Sequence, residues 1–588
     1  MFSDNQRITA AQMKLLLITD WAGKMMLVVP GMLGHIGARN AVLAAAAGTL
    51  LAAGAARGFG SIRIGKSRDY YSLLQMHLGT LGAAAVYLVY GIYLTGHTGL
   101  MLYLSGQVTG NYLLPGIAPA VTAVIPAVLG TWIAAEGIEV RGRVSELTGR
   151  IIWVLVFLLL FLAMRGIRPE LLEYSGGVPD MQALTGTLSV AAVFGTLSVL
   201  PLVSSRIESP RKMGRKAAEA VVLTGILLLL ALLAGYGILG SRGMERQKWP
   251  VIAVTNSASL SGLFLQRWDI ALTALLEFAL FLSIGGGIYY SGLIGSAWRK
   301  INRKVSICIT AVVSWMLAAA MERSEAVLVW TGRVVWCGCV PALTLSALVI
   351  LMLQGKGHRN EKKENKQDRN KRQKSIIQSN QYENNRKKER KRKKSQKKRA
   401  AEIACVIGLI TAGILLTGCT AIELEDRKFP LALELSTRED RIVLACAWPG
   451  LEQSGKQDEE DADNSREDEK NIDGNITRVE ADSIEEAVQK IQKLQEKYVD
   501  YSQVKAILWD ASLAANSGLE QPVLEWLEQM PAFAGNILII PVDDGELTLE
   551  QVQERAEGQA GTYLENLCRN NTEYRDSVRT LTEVLYMK

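Results

Sequence analysis

Residues 150–166 read RIIWVLVFLLLFLAMRG, an apolar run with charge only near its ends. A membrane core about 30 Å thick takes roughly 20 apolar residues of helix. Nine more stretches before residue 355 read the same way, although several contain Gly or an isolated polar residue: about 12–34, 40–56, 80–104, 116–136, 183–204, 217–239, 264–296, 305–321 and 326–354. Residues 1–355 are therefore predicted to form a ten-span α-helical membrane domain, and 401–418 is an eleventh apolar segment. Charge divides what remains. Residues 356–400 hold 20 basic and 5 acidic side chains, whereas 419–588 hold 17 and 36. One soluble globule is excluded, because the chain joins at least three physically different segments.

Loop charge sets an expected orientation. With the N-terminus inside, inner loops carry sixteen Lys or Arg, among them Arg57, Arg141, Arg143, Arg206 and Arg303, and outer loops carry six, among them Arg168, Arg246 and Lys248. Positive charge favours the cytoplasmic side. The tract 356–400, ending KKERKRKKSQKKR, is then a cytoplasmic, disordered linker suited to anionic lipid rather than to nucleic acid. Segment 401–419 crosses back, and 420–588 is extracytoplasmic.

Seven cysteines form no CxxC pair, four histidines are scattered, and no HExxH, GxSxG or phosphate-loop motif occurs. Enzyme, cofactor and metal-site readings find no support in these patterns.

Candidate binding residues come from helix breakers inside spans. Span one reads LLLITDWAGKMMLVVPG, with Gly23 and Pro30 in the apolar stretch and Asp20 and Lys24 one turn apart. A break there would leave backbone groups around Ala22, Gly23, Lys24 and Met25 for a ligand's polar ends. A plain Pro kink with a self-neutralising Asp20–Lys24 pair is the alternative. Span six reads VAAVFGTLSVLP, where Phe194, Gly195, Thr196, Ser198 and Pro201 form a second interruption. Breaks in spans one and six, five apart, are what a 5+5 inverted repeat produces. In span three Tyr87, Tyr90 and Tyr93 lie on roughly one helical stripe, for packing, an interfacial belt or a ligand's apolar part, and Glu277 is an ionisable residue within span eight.

The eleventh segment ends Leu416-Thr417-Gly418-Cys419, a lipobox-like sequence, so Cys419 is a lipidation candidate. Beyond it, FPLALEL, RIVLACAW, VKAILW and NILIIPV read as strands, and IEEAVQKIQKLQEKY and LEQPVLEWLEQM as helices, which together predict a small α/β domain. The acidic stretch 457–472 is expected to be a solvated loop.

The start ITAAQMKLLL, the Gly23…Pro30 spacing, the FG…LP of span six and QRWDIALTALLEFALFLSIGGGIYY resemble the B subunit of bacterial spore germinant receptors (GerAB-like), a branch of the amino acid/polyamine/organocation permease superfamily. Residues 416–588, beginning LTGCTAIELEDRKFPLALELS, resemble the start of the receptor's C-subunit lipoprotein (GerAC-like). The resemblance implies a spore membrane protein that senses a small germinant, an amino acid or similar, between spans one, three, six and eight. Ion release and association with A-type receptor subunits are implied as well. Tyr90 and Tyr93 would line the apolar part of the site and Glu277 would contact an ion or proton. Two departures stand out. Thr196-Leu197-Ser198 replace an acidic residue often found after the span-six Gly, and about 170 residues follow Cys419, enough for roughly one domain where the family usually has three. A secondary amino-acid transporter with an accessory outer domain is the alternative function, because fold alone does not separate the two.

Overall fold

The computed structural model describes residues 7–364 and 427–586, apart from 63–68, 115–116, 172–180, 258–267, 299–300, 450–475, 531–532, 534, 544–546, 557 and 572–576. The basic tract beyond 364, the eleventh apolar segment with Cys419 and the acidic loop 457–472 lie outside the described residues. Among the described residues ten helices are long and apolar enough to cross a membrane: Ala10–Ile36, Ala38–Ser61, Tyr70–Leu113, Pro119–Glu136, Ile138–Gly166, Met181–Arg206, Pro210–Arg246, Asp269–Trp298, Arg303–Arg323 and Glu325–Gln354. Leu81, Trp132, Leu147, Phe161 and Leu345 stand exposed on the outside of the bundle. So broad an apolar surface suits lipid and would be unfavourable in water. Span one runs through the middle, with 83 % of its apolar window buried.

Span one starts at a capping box. The Gln12 amide donates to Thr9 Oγ1 (3.1 Å) and the Thr9 amide to Gln12 Oε1 (3.0 Å). Just before it, Ile8 bridges to Ile207, tying the chain's start to the end of span six. The helix is then continuous from Ala10 to Leu33 with Pro30 inside it, so the expected break at Gly23…Pro30 does not occur. Packing explains why Gly is there. A Cβ at Gly23 would lie 2.8 Å from the Leu276 carbonyl oxygen and 2.9 Å from Leu280 Cγ of span eight. Small residues let membrane helices approach closely, and here glycine serves the helix contact rather than a break. Pro30 stands near the helix end, and a missing N–H there forfeits a single intrahelical bond.

Span six is interrupted as the sequence predicts. Met181–Val193 is α-helical, Phe194–Val199 tightens into 3-10 geometry, and Leu200–Val203 resumes the α-helix. Two further kinks, at Gly79 in span three (φ +73°) and Gly240 in span seven (φ +68°), have left-handed backbone that glycine adopts at little cost.

The C-terminal part forms the expected α/β domain. Its strands are β1 (Arg427–Lys428), β2 (Ala432–Arg438), β3 (Arg441–Ala447), β4 (Ile476–Ala481), β5 (Tyr498–Val499), β6 (Ala506–Asp510), β7 (Leu538–Val542) and β8 (Arg579–Thr580). Six of them form one sheet in the order β4-β3-β2-β6-β7-β8, with β2, β6 and β7 parallel, and β1 pairs with β5 apart from it. Central parallel strands need cover on both faces. Helices Ile484–Leu494 and Ser517–Gln529 bury Leu433, Leu435 and Leu444 on one side. Helices Leu549–Arg555 and Ala560–Asn570 cover Ala432, Leu508 and Ile540 on the other. Cys446 and Cys568 are buried in these cores.

This domain docks on the end of the bundle that carries Arg168, Arg246 and residues 250–257. Arg168 pairs with Glu583, Arg246 Nη1 lies 3.2 Å from Glu528 Oε2, and Gln247 Nε2 donates to Tyr586 Oη at 2.6 Å. Ser257 and Thr582 hydroxyls meet at 2.9 Å, and Asn256 Nδ2 donates to the Phe533 carbonyl at 3.3 Å. The Tyr586 ring lies 3.1 Å from where a Cβ at Gly243 would stand. Arg57, Arg206 and Arg303, at the termini of spans two, six and nine, belong to the opposite end.

Candidate functional site

The sequence-predicted residues meet where span one passes the 3-10 segment of span six. Trp21 Nε1 donates to Thr196 Oγ1 at 2.6 Å, and Lys24 Nζ reaches the same hydroxyl at 3.4 Å. The Trp21 and Phe194 rings meet edge to face, 5.0 Å between centroids. Span three closes the other side. Tyr90 Oη donates to the Ser198 carbonyl at 2.6 Å, and the Tyr93 hydroxyl lies 3.2 Å from the Cβ position of Gly195. Ala22, Met25, Tyr90, Tyr93, Phe194, Thr196 and Ser198 are all buried. A local cause is visible in span six: 3-10 geometry gives up the i→i+4 bonding of the flanking turns, with Pro201 just beyond and Gly195 closely packed on Val340.

Two departures from the sequence reading concern charge. Asp20 and Lys24 do not neutralise each other through a direct contact. Asp20 Oδ1 instead lies 3.3 Å from Arg141 Nη2, and both side chains are buried. Arg141 was counted among inner-loop cations, yet its side chain enters the bundle and its guanidinium lies 5.2 Å from the Tyr290 ring centroid. Gly286 makes room for the pair, since a Cβ there would stand 2.7 Å from Arg141 Nη2 and 3.2 Å from Asp20 Oδ1. Lys24 turns the other way and lies 3.1 Å from His97 Nε2. An ammonium donating there places the imidazole proton on Nδ1. His97 escaped the sequence reading, although it follows Tyr93 by four residues and shares its helix face, with rings 5.7 Å apart.

Counting Lys24 and Arg141 as cations and Asp20 as an anion leaves this buried cluster with one positive charge. An unpaired charge inside a low-dielectric bundle is costly, and a bound carboxylate would compensate it. His97 Nδ1 and Ser198 Oγ are also buried without a hydrogen-bond partner among the described residues. Such orphaned groups each cost about 1–3 kcal/mol. A small ligand with a carboxylate and further polar atoms fits that deficit.

Glu277 does not join the cluster. Its carboxylate accepts from the Ser105 hydroxyl while Oε2 has no partner among the described residues. Ser105 stands eight residues beyond His97 on span three, about 12 Å along the axis.

Residues 61–326 match the family model described as "Spore germination protein", the spore permease family, and residues 420–587 match the one described as "Spore germination protein N-terminal domain", the GerAC N-terminal family. The chain thus joins a segment similar to each of two spore germination families. Solved structures similar to part of this chain include the nucleobase-cation-symport-1 transporter MHP1 in a closed conformation with bromovinylhydantoin bound (15 % identity, 59 % of this chain and 78 % of that one, TM-score 0.45). A Na+-coupled sialic acid symporter in a substrate-bound outward-open state (13 %, 59 % and 79 %, TM-score 0.45) and MhsT in complex with L-phenylalanine (14 %, 59 % and 89 %, TM-score 0.45) are others. Among curated proteins nothing matches.

Proposed function

We propose that the fusion is a membrane subunit of a spore germinant receptor that senses an amino acid in the cluster around Lys24 and thereby triggers ion release. The N-terminus is cytoplasmic and the α/β domain extracytoplasmic, as the loop charges favour. The observation that carries the ligand class is the Lys24 amine, buried without a direct carboxylate contact beside the orphaned His97 Nδ1 and Ser198 Oγ. The ligand carboxylate takes the Lys24 ammonium and the Thr196 hydroxyl. Its amine meets backbone carbonyls of Phe194–Val199, and its side chain lies against Tyr93 and Phe194. Binding favours one arrangement of spans one and six against spans three and eight, and Glu277 supplies the ion or proton contact. A-type receptor subunits are the protein partners, lipid engages the 356–400 tract, and Cys419 carries a lipid.

A second reading, a secondary amino-acid transporter, draws support from ionisable side chains within the bundle, Asp20, Lys24 and Glu277 among them, which a proton-coupled carrier also uses. Liposomes holding the full chain separate the two. A receptor binds labelled amino acid and passes ions without accumulating it, and Thr196→Val weakens both. Accumulation against a gradient would move the assignment to transport, and binding indifferent to Thr196→Val would remove the site.

A further inference from the structure

Where the α/β domain docks on the bundle, the two modules enclose a cavity of about 620 Å³. Its walls come from both. The end of span three supplies Gln107 and Tyr112, the turn after span seven supplies Lys248 and Trp249, and the α/β domain supplies Glu528 and Phe533. It is separate from the cluster at Lys24, none of whose members lines it.

The chemistry of the walls is divided. On the bundle side, Lys248 Nζ lies 4.8 Å above the Trp249 ring and donates to Gln107 Oε1 at 3.2 Å. Among the described residues no carboxylate pairs with it. Lys248 is itself exposed, and partial desolvation lowers its ammonium from the ordinary lysine range. On the domain side, Glu528 spends Oε2 on Arg246 at 3.2 Å, while Oε1 is buried without a hydrogen-bond partner among the described residues. Between these charges Tyr112 meets Trp249 edge to face, with centroids 5.6 Å apart, and Phe533 closes the domain side. A cation on one wall, a carboxylate on the other and aromatic surface between them match a zwitterion carrying an apolar group.

We propose that this cavity is a second solute site, built jointly by the permease and the α/β domain, for a zwitterion of amino-acid size. The volume falls in the range of about 300–1,000 Å³ usual for small-molecule sites, which favour domain interfaces. The solute's carboxylate takes Lys248, its ammonium takes the Glu528 carboxylate beside Arg246, and its apolar group lies on Trp249 and Tyr112. A molecule touching both modules binds the docked arrangement more tightly than the undocked one. By linkage, occupancy therefore strengthens docking by the same factor that docking strengthens occupancy. The α/β domain is thus part of the recognition apparatus, and the site stands or falls without reference to the cluster at Lys24.

The experiment uses the full chain in lipid nanodiscs, each of the twenty protein L-amino acids in radiolabelled form, and the Lys24→Met background to disable the inner cluster. At least one amino acid should still bind Lys24→Met, and adding Lys248→Gln or Glu528→Gln should weaken that binding tenfold or more. Trp249→Leu should do the same. The bound amino acid should also speed cross-linking of a Ser257→Cys/Thr582→Cys pair across the docking interface. No binding to Lys24→Met, or binding indifferent to Lys248→Gln, Glu528→Gln and Trp249→Leu alike, overturns the proposal. Failure of the receptor reading looks different: Lys24→Met then leaves total binding unchanged.

Discussion

Replacing Lys24 with methionine tests the inner cluster most directly, because the two side chains have similar length and volume. Lys24 is 1 % exposed, so the packing around it is retained while the charge disappears. Two effects on the empty protein oppose one another. Burial of an ammonium without a direct carboxylate contact is costly, and its removal is neutral or stabilising. His97 Nε2, 3.1 Å from Nζ, loses its donor, which costs about 1–3 kcal/mol. Thr196 keeps its bond from Trp21 at 2.6 Å, so the contact between spans one and six persists. The unfolding midpoint of Lys24→Met should therefore lie close to that of the unmodified chain. Ligand binding has no such compensation. A charge-assisted hydrogen bond to a carboxylate contributes about 1.5–3 kcal/mol, which is roughly a 10- to 150-fold change in Kd. Lys24→Arg should not restore it, since a planar guanidinium does not fit a space shaped for a point charge between His97 and Thr196. Equilibrium binding in nanodiscs, with thermal unfolding on the same samples, reads both quantities. A Kd for Lys24→Met within about twofold of the unmodified chain, at equal stability, would falsify the assignment of Lys24 to the ligand carboxylate.

The Asp20–Arg141 pair should show strong coupling: Asp20→Asn or Arg141→Met alone leaves a buried charge uncompensated at a cost of about 3–5 kcal/mol, and the double variant should be more stable than either single one in detergent unfolding. Simple additivity would show that the two side chains act separately. Docking should depend on pH through Glu583. Burial pushes its carboxyl up, but the Thr580 amide and the Arg168 guanidinium outweigh that and hold it below the usual carboxylate range. A depressed value means that the contribution is present above the unfolded carboxylate range and is lost as pH falls through the folded value. Hydrogen exchange of Leu581–Tyr586, corrected for intrinsic rate, should accelerate as pH falls below about 5, and Glu583→Gln should flatten that dependence; unchanged protection would exclude the carboxylate. Cys446 and Cys568 are buried in the α/β cores, where burial raises both thiols, that of Cys568 to about 11. Neither should react with maleimide at neutral pH until the domain is unfolded, and rapid labelling of either would contradict its placement.

The sequence by itself determined everything that depends on a local count. Apolar length specifies ten spans, because a helix in lipid must satisfy its own backbone and keep charge away from the lipid. Alternation and amphipathic spacing specify the strands and helices of the α/β domain. The interruption of span six was legible too, because FGTLSVLP combines a glycine, hydroxyls and a proline within a few residues. The same logic failed at span one. Gly23 and Pro30 look like a break, yet whether a glycine bends a helix or seats a neighbour depends on what lies opposite, and the Leu276 carbonyl of span eight lies there. Charge pairing was hidden for the same reason. Asp20 and Lys24 are one turn apart, but their partners, Arg141 and His97, come from spans five and three, 121 and 73 residues away. Arg141 reads as a loop cation because nothing local shows that its long side chain turns inward over Gly286. The meeting of the two modules was the least legible of all, since Lys248 and Glu528 are remote in the chain and face one cavity only after both modules have folded and docked. Secondary structure follows from spacing along one segment, whereas electrostatic sites follow from which segments become neighbours, and only tertiary packing decides that.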